Sequence, residues 1–161
     1  MGVSLQRAEL GLLQEYYRQF ETDPALFMDM SRFAPYRYDP HKVEEYYSAK
    51  IDRPDRRCFV IMLGMKPIGE LLLKNIDREK GTCELSIHLQ NDSVKGKGYG
   101  TQAERLALRE AFEGMDMKTV FADSVLKNGR SQHVLEKVGF RLVGENETMK
   151  YYRCDREQWN G

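Results

Sequence analysis

The chain has 161 residues, enough for one domain with a sizeable core, and its 41% hydrophobic and 31% charged residues are those of a soluble globular protein. Its 25 basic and 25 acidic residues cancel, which excludes a polyanion such as DNA or RNA as the main partner and leaves any anionic ligand to be held by local geometry. No apolar run approaches the roughly 18 residues of a spanning helix and no apolar signal core is present, so neither membrane nor secretion is expected and the cytoplasm is the expected compartment.

The elements follow in chain order. Val3 to Gln6 reads as a short strand. Leu12, Leu13, Tyr16, Tyr17 and Phe20 recur at helical spacing and predict an amphipathic helix over about 7–20. Asp23-Pro24 and Asp39-Pro40 each set a capping side chain before a proline, predicting helices near 24–30 and 40–50. Arg57 to Leu63 is a run of strand formers, Gly64 to Pro67 a turn, Ile68 to Lys74 a second strand, and Asp77 to Gly81 a polar turn. Thr82 to Gln90 alternates cleanly, with Cys83, Leu85, Ile87 and Leu89 on one side and Glu84, Ser86, His88 and Gln90 on the other. Three strands joined by short turns make an antiparallel meander. A glycine-rich turn then leads into a helix of about 100–113, followed by a strand at 118–124. A helix at 128–138 closes on Gly139, and strands at 140–143 and 149–153 complete the order. With no repeat or linker, residues 1–161 read as a single domain of α/β (α+β) class around a mixed central sheet of about six to seven strands. The helices lie N-terminal to the meander, with two crossover helices in the C-terminal part.

Gly96, Gly98 and Gly100 fall on alternate positions between a strand and a helix. Missing side chains there let backbone N–H groups approach an anion, and the helix start adds free donors and a positive dipole end. This makes a diphosphate cradle that a neutral protein can use, with Lys95 and Lys97 adding local charge. A Walker loop is absent, since no Gly-Lys-Ser/Thr ends the turn. A dinucleotide fingerprint fails at its sixth position, where Thr101 stands. The cysteines Cys58, Cys83 and Cys154 are odd in number and widely spaced, so neither a disulfide framework nor a zinc site follows and no metal is expected.

About thirty residues downstream lie Asn128, Ser131 and Glu136-Lys137-Val138-Gly139-Phe140. With Lys95-Gly96-Lys97-Gly98-Tyr99-Gly100, this pair of motifs resembles the GNAT superfamily of N-acetyltransferases, over about 57–154. Ser131 and Leu135 are most similar to the ribosomal-protein alanine N-acetyltransferase branch, whereas other branches carry a Tyr general acid where Leu135 stands. The resemblance implies acetyl-CoA as cosubstrate and direct transfer of the acetyl group to a primary amine, from a peptide or protein N-terminus or a small molecule. It places the pantetheine chain against the backbone of Ile87 and Leu89 and the diphosphate against Lys95 to Thr101, with Lys97, Tyr99 and Gly100 in that segment. The Asn128 side chain suits a pantetheine amide or a helix cap.

An amine must lose a proton before it attacks. Glu84 stands on the polar face where the family often puts its carboxylate. His88, two pleats on, has the right intrinsic pKa, and either residue can equally be a plain strand side chain. A backbone N–H near Leu89 can stabilise the oxyanion, and Ser131, Tyr151 or Tyr152 can meet the departing thiolate. Tyrosines 16, 17, 36, 38, 46 and 47 gather before the meander and read mainly as packing, with an aromatic cleft for a cationic amine as the functional alternative. A non-catalytic CoA-binding module of the same fold is the rival reading, and the oligomeric state reads as monomer or homodimer.

Overall fold

A computed structural model describes residues 2–21, 34–90 and 95–161 of the chain. The helix expected near 24–30 and the end of the segment joining the third meander strand to the glycine turn lie outside the described residues.

Seven strands form one mixed sheet in the order β1-β2-β3-β4-β5-β7-β6. They are β1 (Ser4–Arg7), β2 (Arg57–Leu63), β3 (Lys66–Asp77), β4 (Thr82–Leu89), β5 (Thr119–Val125), β6 (Arg141–Glu145) and β7 (Met149–Asp155). All neighbours run antiparallel except β4 and β5. The meander is therefore as expected, and the one parallel pair arises because helix α3 (Tyr99–Arg109) carries the chain across a sheet face between β4 and β5.

The alternation of the meander strands sorts side chains onto two faces. One face packs Ile61, Leu71, Leu73, Leu85, Val120 and Ala122 against α3 and helix α4 (Gly129–Val138), which contribute Ala103, Ala107, Leu108, Leu135 and Val138. The other packs Val60, Met62 and Leu72 against helix α1 (Leu10–Arg18) and helix α2 (Pro40–Tyr46) through Leu13 and Val43. Asp39 caps α2 as expected, its side chain accepting from the His41 N–H at 2.9 Å, and a π-type turn over Tyr47–Ile51 continues the helix.

The first helix differs from its expected start. The Ala8 N–H still donates to the Cys58 carbonyl at 2.9 Å. Pairing with β2 thus holds the chain extended through Arg7, and α1 begins only at Leu10. Gln90, placed on the polar face of β4, is fully buried. Its Nε2 donates to the Tyr16 carbonyl and to Gln19 Oε1, fastening the last turn of α1 to the end of β4. Among the described residues no helix is long and apolar enough to cross a membrane.

Candidate active site

The parallel pair is short. β4 and β5 stay in register from Thr82↔Thr119 to Leu85↔Ala122 and then part. β4 remains with β3 as far as Leu89↔Gly69, while β5 follows β7 as far as Val125↔Met149. Backbone groups of Ser86 to Leu89 on the opened side are released from the ladder and can pair with an amide-bearing ligand as an added strand would. A gap of ≈ 220 Å³ lined by Ser86, Asp123 and Ser124 occupies the fork. Through Ile87, Asn128 and Ser131 it joins a cleft of ≈ 340 Å³ that runs past Leu89 to Lys95, Gly100 and Arg130.

The floor of that cleft is made by two helix starts. Gly96 and Gly98 have φ of 76° and 82°, the left-handed region where a glycine avoids the strain of a side chain. A Cβ built on Gly96, Gly98 or Gly100 would meet nothing within 4 Å among the described residues, which leaves space above the turn. No side chain caps α3 at Gly98. Among the described residues its first-turn N–H donors have no acceptor, and with the helix dipole they suit a diphosphate. At α4 the Asn128 Oδ1 accepts from the Ser131 N–H at 3.0 Å. The cap reading of Asn128 therefore holds for its oxygen, and its Nδ2 has no hydrogen-bond partner among the described residues.

Of the residues expected to hold a coenzyme, Ile87, Leu89, Lys95, Gly100, Asn128 and Ser131 line this one cleft. Gly96, Lys97 and Gly98 are exposed beside it. Tyr99 packs at the edge of the core and Thr101 is buried, so those two side chains serve the helix rather than the cleft.

The acid–base candidates separate along β4. Glu84 lies below the fork and lines a ≈ 180 Å³ hollow with Lys74, Asp123, Tyr151 and Tyr152. Its carboxylate accepts from Asn75 Nδ2. Asn75 stands at an irregularity of β3 with φ 52°, a conformation asparagine tolerates better than most residues, and this turns its amide toward Glu84. His88 stands at the other end, in the cleft wall. Its Nε2 donates to Glu70 Oε1 at 3.2 Å, and its Nδ1 accepts the Tyr16 O–H at 2.5 Å. Both ring nitrogens are thus engaged, the satisfied arrangement of a strand histidine.

Glu70 is a residue the sequence reading does not single out. It is fully buried, and its Oε1 also accepts from Tyr17 and Tyr46 at 2.9 and 2.8 Å. Burial first, then the nearby Glu70 charge, pushes the Tyr16, Tyr17 and Tyr46 hydroxyls well above the ordinary phenol range, so all three stay protonated donors. Phe20 and Tyr36 extend the aromatic wall, their rings 5.2 Å apart. The available signal is one carboxylate in an otherwise apolar stretch from Ile68 to Leu73. Glu104 carries the same kind of signal, an acid on the inner stripe of α3, where it is buried at 2% exposure.

Cys58, Cys83 and Cys154 are free and buried. Burial pushes their thiols up to about 11, 12 and 11, far from the thiolate a nucleophile needs. Among the described residues no group of three or more His, Cys, Asp or Glu is placed to hold a metal ion.

Comparison with known proteins agrees with this geometry. No curated protein matches the sequence. A chimera of the Vibrio cholerae spermidine N-acetyltransferase SpeG and hSSAT superposes with a TM-score of 0.81 at 21% identity, covering 98% of this chain and 97% of that one. The spermidine N-acetyltransferase from Vibrio cholerae in complex with CoA and spermine gives 0.80 at 20% identity over 97% and 96% of the two chains. A dodecameric form of that enzyme gives 0.74 at 20% identity over 96% and 94%. These likenesses show the fold. The model of the acetyltransferase (GNAT) domain matches residues 3–141, and the chain belongs to that family, as an acyltransferase that uses acetyl-CoA.

Proposed function

We propose that the protein moves an acetyl group directly from acetyl-CoA to a primary amine carried by a small, cationic acceptor. The observation that carries this reading is the pairing of an open β4–β5 fork with a buried carboxylate behind an aromatic wall on the acceptor side. Glu70, with Tyr17, Phe20 and Tyr36 in front of it, favours an ammonium over a neutral or anionic group. The whole chain is taken as one acetyltransferase domain.

The fork has its centre near Ser86, with Glu84 and His88 two residues away on the same face, about 6–7 Å along the strand in either direction. Glu84 is proposed as the proton acceptor for the attacking amine. Its carboxylate faces a hollow and is oriented by one amide, whereas both His88 nitrogens are spent on Tyr16 and Glu70. His88 is then a positioning residue that holds the end of β4 against α1. The backbone N–H groups of Ile87 and Leu89 are proposed to pair with the pantetheine chain and meet the developing oxyanion. The Ser131 hydroxyl is proposed to meet the departing thiolate. A covalent acetyl-cysteine has no support, given the raised thiols.

A protein N-terminus, as in the ribosomal-protein alanine branch, remains the second acceptor class on the strength of Ser131 and Leu135. It differs in needing an open groove for a peptide chain beyond its first residue. Thiol release from acetyl-CoA should be measured with polyamines, amino acids and Ala- or Ser-initiated peptides. Saturable release with the polyamines alone supports the reading. Release only with the peptides moves the protein to the second class, and binding of CoA without release for any amine makes it the non-catalytic module.

A further inference from the structure

We propose that Glu104 is a proton-linked binding residue for the coenzyme, entering the complex as the neutral acid and donating its O–H to a coenzyme oxygen. The inference rests on acetyl-CoA occupying the cleft described above. Glu104 sits on α3 one turn beyond Gly100, the position from which the helix faces the sheet, and it lines the same cleft as Gly100, Leu89 and Asn128. It is 2% exposed, and its Oε1 is buried without a hydrogen-bond partner among the described residues. A buried polar atom without a partner is rare enough to need a reason, and here it lies in a cleft whose ligand is rich in carbonyl and phosphate oxygens.

An ionised carboxylate at this place would be both unsolvated and set beside a polyanion. The neutral acid instead supplies the donor that an oxygen-rich ligand wants. Burial alone already pushes the Glu104 carboxyl up to about 8, and an arriving anion pushes it in the same direction. Among the described residues the charged and titratable groups around the cleft are Glu21, His88, Lys95, Lys127 and Arg130. On the sheet face beneath α3, Arg7 lies over the Phe59 ring, Arg57 pairs with Glu110, and the Cys83 thiol is neutral. Of these only a cysteine thiol ordinarily titrates near 8, and burial pushes Cys83 up to about 12, out of that window.

The test is calorimetric titration of CoA into the full chain at pH 7, 8 and 9, in two buffers of different ionisation heat, beside Glu104→Gln and Glu104→Met. The unsubstituted protein should bind about tenfold more weakly at pH 9 than at pH 7, with net proton uptake that grows over that range. Both variants should lose that pH dependence and that proton uptake, and the Met variant should bind more weakly than the Gln variant because it cannot donate. Any titration of CoA itself is common to all three proteins. Equal pH slopes in the protein and the Gln variant would overturn the proposal, as would absence of proton uptake. Failure of all three to bind CoA at pH 7 would instead remove the coenzyme from this cleft.

Discussion

Glu84 and His88 share a face of β4, and their hydrogen bonds give them different work. Glu84 has one oriented amide beside it and an open hollow in front, so removing its charge should touch proton transfer and little else. Glu84→Gln should lower kcat about 100-fold, within the range of general-base losses, with KM for acetyl-CoA unchanged in steady-state thiol-release assays. A matching fall in coenzyme affinity would make Glu84 structural. Glu70 should behave in the opposite way. Glu70→Leu leaves the half-buried Tyr17, Tyr46 and His88 donors without their acceptor. Urea denaturation should show a loss of about 3 kcal/mol, the scale of several orphaned donors. The alternation that puts Glu84 and His88 on one face is legible in the sequence. What occupies the His88 nitrogens is not, because Glu70, 18 residues away, meets it only through the β3–β4 register, and Tyr16, 72 residues away, only when α1 docks on the sheet.

The start of α3 is the element on which coenzyme binding turns. Gly98 sits at φ 82° with open space where a Cβ would go. Gly98→Ala therefore costs only the backbone strain, about 1–2 kcal/mol, yet places a methyl group where the diphosphate must approach. Coenzyme affinity should fall by more than tenfold in equilibrium titration while the thermal transition drops by only a few degrees. An unaltered affinity would place the diphosphate elsewhere. The two helix starts and the glycine turn are visible in the sequence because their chemistry is local. The beginning of α1 is not, since the apolar period reaches back toward Arg7 while a long-range bond from Ala8 to Cys58 keeps that stretch in the sheet.

Across the whole molecule the strands and helices are readable in chain order, but their arrangement depends on distant pairings. The insertion of β7 between β5 and β6, and the parting of β4 from β5 after Leu85↔Ala122, follow from register that no local pattern encodes. Global stability should also carry the mark of Glu104. Its folded carboxyl is raised to about 8 from an ordinary value of about 4.3. Between those limits the folded state holds a proton that the unfolded state has released. The Glu104 contribution to stability is then fully present at low pH, falls as pH rises through that window by at most about 1.4 kcal/mol per pH unit, and levels off above about 8. Glu104→Gln should flatten this slope in denaturation curves taken from pH 5 to 8.

Thiol release from acetyl-CoA in the presence of a polyamine such as spermidine, followed with the unsubstituted chain and with Glu84→Gln in parallel, tests the central claim most directly. Saturable release that the substitution cuts about 100-fold is the predicted result. No release above the uncatalysed rate, with CoA nonetheless bound, would contradict it.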